Sequence, residues 1–496
     1  MEEGEISIVL VYMSHDEGEM SHSLYAIEMP NTSDHDHHRH DEDQPGPTPT
    51  VVKCSTDKPL KWSLILQFQA SEFPYDMACA KLSDGRLYFF GGMLDTAGDN
   101  RLLFPDLDQF PRGVHAFNPS TGELTKEDVA MMNTGKSWPL SFVADDKLYV
   151  LGRHILTKED SSSTSPTYFE VFDKKQWTAL KPPPRFAIWK ACSVVGRKVL
   201  VLGRAVQLFC FVFDLDTLKW DDQIITIPRE VENLPLWTSS SSWLYPAAEE
   251  GSSRKKNAAP ALYYGVRSDG VPCKSFITEA QTQKKVHELL TRHHWNQIDD
   301  DAAAGIGIRT RKSEYPLLSM TLCYLGDGRF FYLAVASPFP SYFAADMDEC
   351  NDQFIQTVLF KDITPLGDDP DEAQPSSSAT QAFKAECILS AFDQKDPSLG
   401  HIWKIKNSFA FRLTRQQFNR LTARAAEGGA AGSLKCEQMI REAEIQAHHS
   451  KADTLKEMEV TLKKFREIVE NVKPDDRVQA VKEFEEIVNR YAVRTR

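Results

Sequence analysis

The sequence predicts a mainly β fold in which small sheets repeat around an axis, and three observations carry that prediction. The first is a hairpin that returns. Leu82-Ser83-Asp84-Gly85-Arg86, running into Leu87-Tyr88-Phe89-Phe90-Gly91-Gly92, reappears as Val143-Ala144-Asp145-Asp146-Lys147 with Leu148-Tyr149-Val150-Leu151-Gly152-Arg153. A third copy is Val194-Val195-Gly196-Arg197-Lys198 with Val199-Leu200-Val201-Leu202-Gly203-Arg204, and a weaker fourth runs from Tyr324 to Ala334. Each is a short Gly/Asp turn, a basic residue and a buried-strand run of apolar residues, which reads as a β-hairpin. The second observation is spacing: the copies recur at about 50–60 residues, with a last interval of about two periods that leaves room for a degenerate copy near Ala261–Val266. The third is that strand-like runs stand at both ends, so the ends can pool strands and leave no open sheet edge.

In order along the chain, Ile6–Val11, Ser23–Ile27 and Trp62–Phe68 read as three strands that precede the first full unit. They need a fourth from elsewhere, and the strands over Ala385–Phe392 and Ile402–Leu413 are the source. Complete units are expected over Phe73–Ala130, Ser137–Pro182 and Phe186–Ile227, a blurred one over Leu236–Ile298, and a clearer one with strands at Leu318–Leu325, Phe330–Ala336, Tyr342–Asp346 and Phe354–Phe360. The second half of a unit repeats too. Phe117-Asn118, Phe172-Asp173 with Trp177, and Phe213-Asp214 with Trp220 give an apolar strand, an Asn or Asp turn and a Trp-led outer strand. Ala80, Ser141, Cys192 and Cys323 hold one offset in the innermost strands, where crowding near the axis favours small residues, so both cysteines are read as buried filler.

Paired glycines after an apolar strand, an aromatic strand ending in a turn, and then Trp make the chain resemble the Kelch-repeat β-propeller superfamily, in its divergent, loop-swollen, plant-like form. The resemblance covers residues 70–230 well and 230–415 loosely, and Gly91-Gly92 is the one intact glycine pair. It implies a propeller over 1–413, of six blades with five or seven as alternatives, interrupted by a His/Asp/Pro-rich loop at 34–49 and a Pro/Ser/Asp-rich loop at 367–381. It also implies a scaffold or substrate receptor.

After Leu413 the period changes. A helix is expected over Gln416–Glu427, and Leu455, Met458, Leu462, Phe465, Val469 and Val472 alternate at three and four residues, the spacing of a coiled-coil seam. Lys473-Pro474 ends it, and a second helix carries Val478 to Tyr491. Residues 414–496 are therefore expected as a helical extension that folds as a hairpin, docks on the propeller, or pairs with a second copy of the chain in a homodimer.

Composition narrows the partners. A net charge of −14 argues against a generic nucleic-acid or anionic-membrane binder. No apolar run reaches the roughly 18 residues of a membrane span. Nine cysteines, an odd number, fit a reducing compartment, cytoplasmic or nuclear. His35, His37, His38 and His40 sit among carboxylates and could hold a transition metal, although a solvated loop with adventitious binding explains them as well. His287-Glu288 lacks the second histidine of a zinc-protease helix, since Thr291 stands in its place. Arg153 and Arg204, where the repeat expects its second glycine, are the binding candidates. They would project to one rim and suit an anionic group, unless each pairs with an acid of its own unit such as Asp173 or Asp214. The function expected is a non-enzymatic protein-interaction scaffold without cofactor, binding protein partners through propeller loops and C-terminal helices. The alternative is a metal-dependent or small-molecule enzyme, or a ligand-binding propeller, using the central channel.

Overall fold

The computed structural model describes residues 5–17, 19–30, 60–68, 73–74, 76–93, 110–125, 129–152, 168–184, 188–204, 208–222, 224–227, 245–246, 261–266, 272–277, 296–297, 317–336, 353–362, 385–394 and 402–424. The chain divides into two compact units, Met1–Ala425 and Ala426–Arg496, and every described residue lies in the first.

Three strands open the chain: β1 (Glu5–Glu17), β2 (Glu19–Glu28) and β3 (Trp62–Phe68). The first complete sheet contains β4 (Ala78–Lys81), β5 (Leu87–Phe90), β6 (Val114–Asn118) and β7 (Glu123–Thr125). The second contains β8 (Leu140–Ala144), β9 (Lys147–Leu151), β10 (Phe169–Phe172) and β11 (Trp177–Leu180). The third contains β12 (Ile188–Val195), β13 (Lys198–Arg204), β14 (Leu208–Asp214), β15 (Lys219–Trp220) and β16 (Ile225–Ile227). The fourth is β17 (Tyr245–Pro246), β18 (Ala261–Val266), β19 (Pro272–Ile277) and β20 (Asn296–Gln297). The fifth is β21 (Leu317–Gly326), β22 (Arg329–Ala336), β23 (Phe354–Asp362) and β24 (Ala385–Gln394). Finally β25 (Ile402–Thr414) returns to pair antiparallel with β1, and the closing sheet has the order β25-β1-β2-β3.

The closure is therefore the one expected, with the C-terminal side giving one strand rather than two, because β24 completes the fifth sheet. The expected count of six blades, with five or seven as alternatives, is corrected: among the described residues five sheets have the four strands of a blade, and the third has five. Its outer strand is interrupted, so β15 pairs with one end of β14 and β16 with the other. The expected strand at Tyr342–Asp346 lies outside the described residues.

The turns explain why these residues make hairpins. Asp145 and Asp146 both take positive φ (47° and 57°), the two-residue turn whose twist matches its flanking strands. Gly196 alone is positive in its turn (φ 59°), the mirror type that wants glycine first. Asn118, Asp173 and Asp214 fold the outer hairpins by accepting backbone N–H bonds two or three residues on.

The core lies between neighbouring sheets rather than under one sheet. Leu10, Tyr12 and Leu24 of the closing sheet pack on Leu87, Phe89 and Phe117 of the first. Tyr88 and Phe90 meet Leu148, Val150 and Trp177 of the second, and Phe142 and Phe169 meet Phe211 and Phe213 of the third. On its other side the closing sheet packs Val9 and Val11 against Phe331 and Leu333 of the fifth. Sheets meeting face to face in turn, with β25, β4, β8, β12 and β21 as first strands, make a propeller arrangement.

The Trp-led outer strands have a specific task. The Trp177 indole donates to Ala130 O and the Trp220 indole to Lys181 O, both at 2.8 Å, so each pins its sheet to the exit of the sheet before.

The helical extension needs correction. Among the described residues there is one helix, α1 (residues 415–424), and it belongs with the sheets. Thr414 and Gln417 cap it reciprocally, at 3.2 and 2.8 Å, and Phe418 and Leu421 enter the core between closing and first sheets. The coiled-coil seam from Leu455 to Val472 and the second helix lie outside the described residues, so the structure gives them no support. No described helix is long and apolar enough to cross a membrane.

Candidate functional site

The first strands β25, β4, β8, β12 and β21 run the same way along the axis. Asn407 Nδ2 donates to Cys79 O (3.3 Å) and Lys81 Nζ to Ala410 O (2.7 Å), so β25 and β4 advance together. Ile405 N bonds Ser319 Oγ and Thr321 bonds Ser408, both at 2.9 Å, which fixes β21 beside β25 in the same direction. Parallel first strands give the ring two unlike faces. One carries the tight turns after β4, β8, β12 and β21 together with the long connections after β2 and β23, and the other carries the long connections after β5, β9 and β22 together with the tight turn after β1.

The tight-turn face is tied by exposed charges. Ser83 N donates to Asp146 at 2.9 Å, and Lys174 joins Asp146 to the same serine. Arg197 reaches Asp145 through Nη1 (2.7 and 2.8 Å) and Asp216 through Nε (2.9 Å). The Asp145-Asp146 turn is thus held from both neighbours. Side-chain contacts with Asp145 and Asp216 hold the Arg197 guanidinium in its charged form.

At the long-loop end the polar contacts are buried instead. Glu170, on apolar strand β10, is fully buried and faces Lys136 of the connection before β8, itself 1% exposed. The carboxylate also accepts from Asn133 N (2.9 Å), Asn133 Nδ2 (2.7 Å) and Thr134 N (3.1 Å), while Lys136 Nζ donates to Thr134 O (3.0 Å). Burial pulls the Lys136 ammonium down, and Glu170 opposes that. The geometry is that of a charged, paired lysine. Gly91 and Gly92 fit here: φ of 67° and 94° turn the chain so that Gly92 N donates to Lys136 O at 2.9 Å. A Cβ on Gly91 would meet that carbonyl and the Pro139 ring at 2.7 Å.

A second buried cluster sits where closing and first sheets meet. His22 on β2 is 2% exposed, and its Nε2 accepts the Asp76 backbone N–H at 2.8 Å. Asp76 has φ 62° and its carboxylate pairs with Lys406, the extra residue of a β-bulge in β25. Tyr12 lies against the His22 ring with centroids 5.3 Å apart, its hydroxyl buried and without a hydrogen-bond partner among the described residues. Burial lowers Lys406 to about 7, yet direct contact with the Asp76 carboxylate favours the charged form, and the geometry is that of an ion pair.

The sequence-predicted residues fall apart in space. Arg153 and His35, His37, His38 and His40 lie outside the described residues. The histidines belong to the connection between β2 and β3, which leaves and re-enters at the tight-turn end. Arg204 closes β13 opposite Ile188 and Leu208, at the long-loop end. Its suggested acid partner Asp214 pairs with Lys198 at the other end of the same strands, and Asp173 folds its own turn there, so neither acid stands at that rim. Burial pushes the Cys192 thiol up and raises Cys323 to about 12, as inert core cysteines require. The two buried clusters were missed. One signal was present: Glu170 interrupts an otherwise apolar strand.

No protein-family model matches the chain, and no curated protein does. Among solved structures it is similar to YjhT at 12% identity and TM-score 0.33, over 71% of this chain and 94% of that one. It is also similar to a GH43 β-xylosidase/α-arabinofuranosidase from a compost microbial metagenome, in complex with xylotriose, at 11% identity and TM-score 0.27, over 63% and 94%. A third likeness is to an S. cerevisiae assembly of dbp5 bound to nup159 and gle1 with ip6 and adp, at 9% identity and TM-score 0.26, over 65% and 60%. Scores at this level carry no functional argument. The propeller arrangement stands on strand order, sheet-to-sheet packing and parallel first strands.

Proposed function

We propose that the chain is a non-enzymatic interaction scaffold, a divergent Kelch-like propeller that binds protein partners on its long-loop face. The observation that carries this reading is the difference between the faces. Charged pairs knit the tight turns after β4, β8 and β12 to one another, whereas the connections after β5 and β9 spring from roots packed on the buried Lys136–Glu170 pair, the arrangement of variable loops on a rigid scaffold. The left-handed Gly91-Gly92 pair, the Asn and Asp turns and the indole pins support the Kelch-like assignment. A net charge of −14 favours basic or neutral protein surfaces over nucleic acid, in a cytoplasmic or nuclear setting. Arg204, the last residue of β13, and Arg153, which holds the equivalent place in the sequence repeat, are the proposed contacts for a partner carboxylate.

The test is affinity capture with the full chain, comparing wild type, the double variant Arg153→Glu/Arg204→Glu, and Lys175→Glu on the exposed tight-turn face. Partners retained by wild type and Lys175→Glu but lost from the arginine variant are the expected result. Identical partners on all three, with the fold intact by circular dichroism, would remove the long-loop face as the binding surface.

A further inference from the structure

His22 is placed where a proton would be felt at the point of ring closure. Its Nε2 accepts the Asp76 N–H, so the ring is neutral and carries its proton on Nδ1. An imidazolium has no acceptor, and this hydrogen bond cannot survive protonation. The groups facing the ring come from the elements packed around it: Tyr12, the Met13 backbone and His15 from β1, Asp76 from the entry to the first sheet, and Lys406 from β25, while Cys79 of β4 faces Tyr12. Phe68 of β3, paired with His22 across the ladder, completes the enclosure. Lys406 and His15 oppose a second positive charge, and the Asp76 carboxylate is already engaged by Lys406.

We propose that His22 is an acid-sensitive latch on the seam between the closing sheet and the first sheet. Protonation removes the acceptor for Asp76 N–H, sets a cation beside Lys406 and loosens the Asp76–Lys406 pair. Asp76 is held in a left-handed conformation that a non-glycine residue leaves readily once its contacts are gone. Below it, β4 is joined to β25 through Asn407 to Cys79 and Lys81 to Ala410, so release of Asp76 frees the upper end of that seam. The latch is independent of what the long-loop face binds.

The sign follows from the neutral closed state. Burial, then Lys406 and His15, hold His22 well below the usual histidine range. The open state takes up a proton below about pH 6.5 that the closed state refuses. Opening is therefore favoured about tenfold per pH unit across that window, as one bound proton requires.

Hydrogen exchange of the full chain, corrected for intrinsic rate, reads this directly at pH 7.5 and 5.5. Wild type should lose protection about tenfold over 76–81 and 402–410, with β8 and β9 as an unaffected reference. His22→Gln keeps an acceptor that does not titrate and should flatten the dependence. An equal loss in His22→Gln, or none in wild type, would overturn the latch. Should that variant fail to fold, the His22 ring can be titrated by NMR in wild type. A ring that protonates while the Asp76 amide stays protected, or one that stays neutral until the whole chain unfolds, refutes it.

Discussion

Glu170 shows how a single side chain can organise a connection. Its two oxygens gather Asn133, Thr134 and Lys136, which fixes the residues between β7 and β8 against the second sheet. Replacing it removes the partner of an almost wholly buried lysine and strands two backbone N–H groups. Glu170→Ala should cost about 3–5 kcal/mol, read as a lower urea midpoint at unchanged slope. In Lys136→Met/Glu170→Gln the amide oxygen can still accept from Asn133 or Thr134 and no charge is left unpaired, so part of that loss should return. His22 is the same kind of residue with a different consequence, because its imidazole is a titratable acceptor and its partner leads into another sheet.

Among elements, the hairpin turns separate backbone chemistry from charge. The Gly196-Arg197 turn needs φ of 59° at its first position, so Gly196→Ala should cost about 1–2 kcal/mol through strain in the left-handed region. Arg197 makes three hydrogen bonds to two aspartates, yet it is 36% exposed and its partners more so. Arg197→Ala should therefore cost no more than about 1 kcal/mol, and the difference should vanish near 1 M salt. Urea melts of the two variants at low and high salt check the order. A larger, salt-sensitive loss from Arg197→Ala would mean that the charged ties, rather than the turns, set the spacing of the sheets.

For the whole molecule, the decisive strand is β25. It supplies the first strand of the closing sheet and side chains to the cores on both sides of it: Phe411 and Leu413 on one, Ile402 and Ile405 on the other. Gln353, fully buried, grips Ile402 through both backbone groups at 2.8 and 2.9 Å and ties the start of β25 to the fifth sheet. A chain ending at 401 should lose cooperative thermal unfolding, since β1 becomes an unpaired edge and both seams lose their lining. A chain ending at 425 keeps β25 and α1 and should melt in one transition. Calorimetry of the two distinguishes ring closure from any contribution of residues 426–496.

The sequence by itself determined the strands, the hairpin turns, the repeat and the sharing of one sheet between the chain ends. Those features follow from neighbours in the chain: Gly and Asp accept positive φ, apolar runs mark buried strands, and Trp177 and Trp220 hold fixed places after their turns. Only the tertiary structure decided which polar groups are buried together. His22 and Asp76 are 54 positions apart, and Lys136 and Glu170 are 34 apart, so no local pattern joins them. Their pairing depends on which sheet faces meet, and low dielectric at those seams turns ordinary side chains into obligatory partners. For the same reason the acid named for Arg204 was misplaced: Asp214 shares its sheet but stands at the other end of the strands, and membership of one sheet does not say which end a side chain occupies.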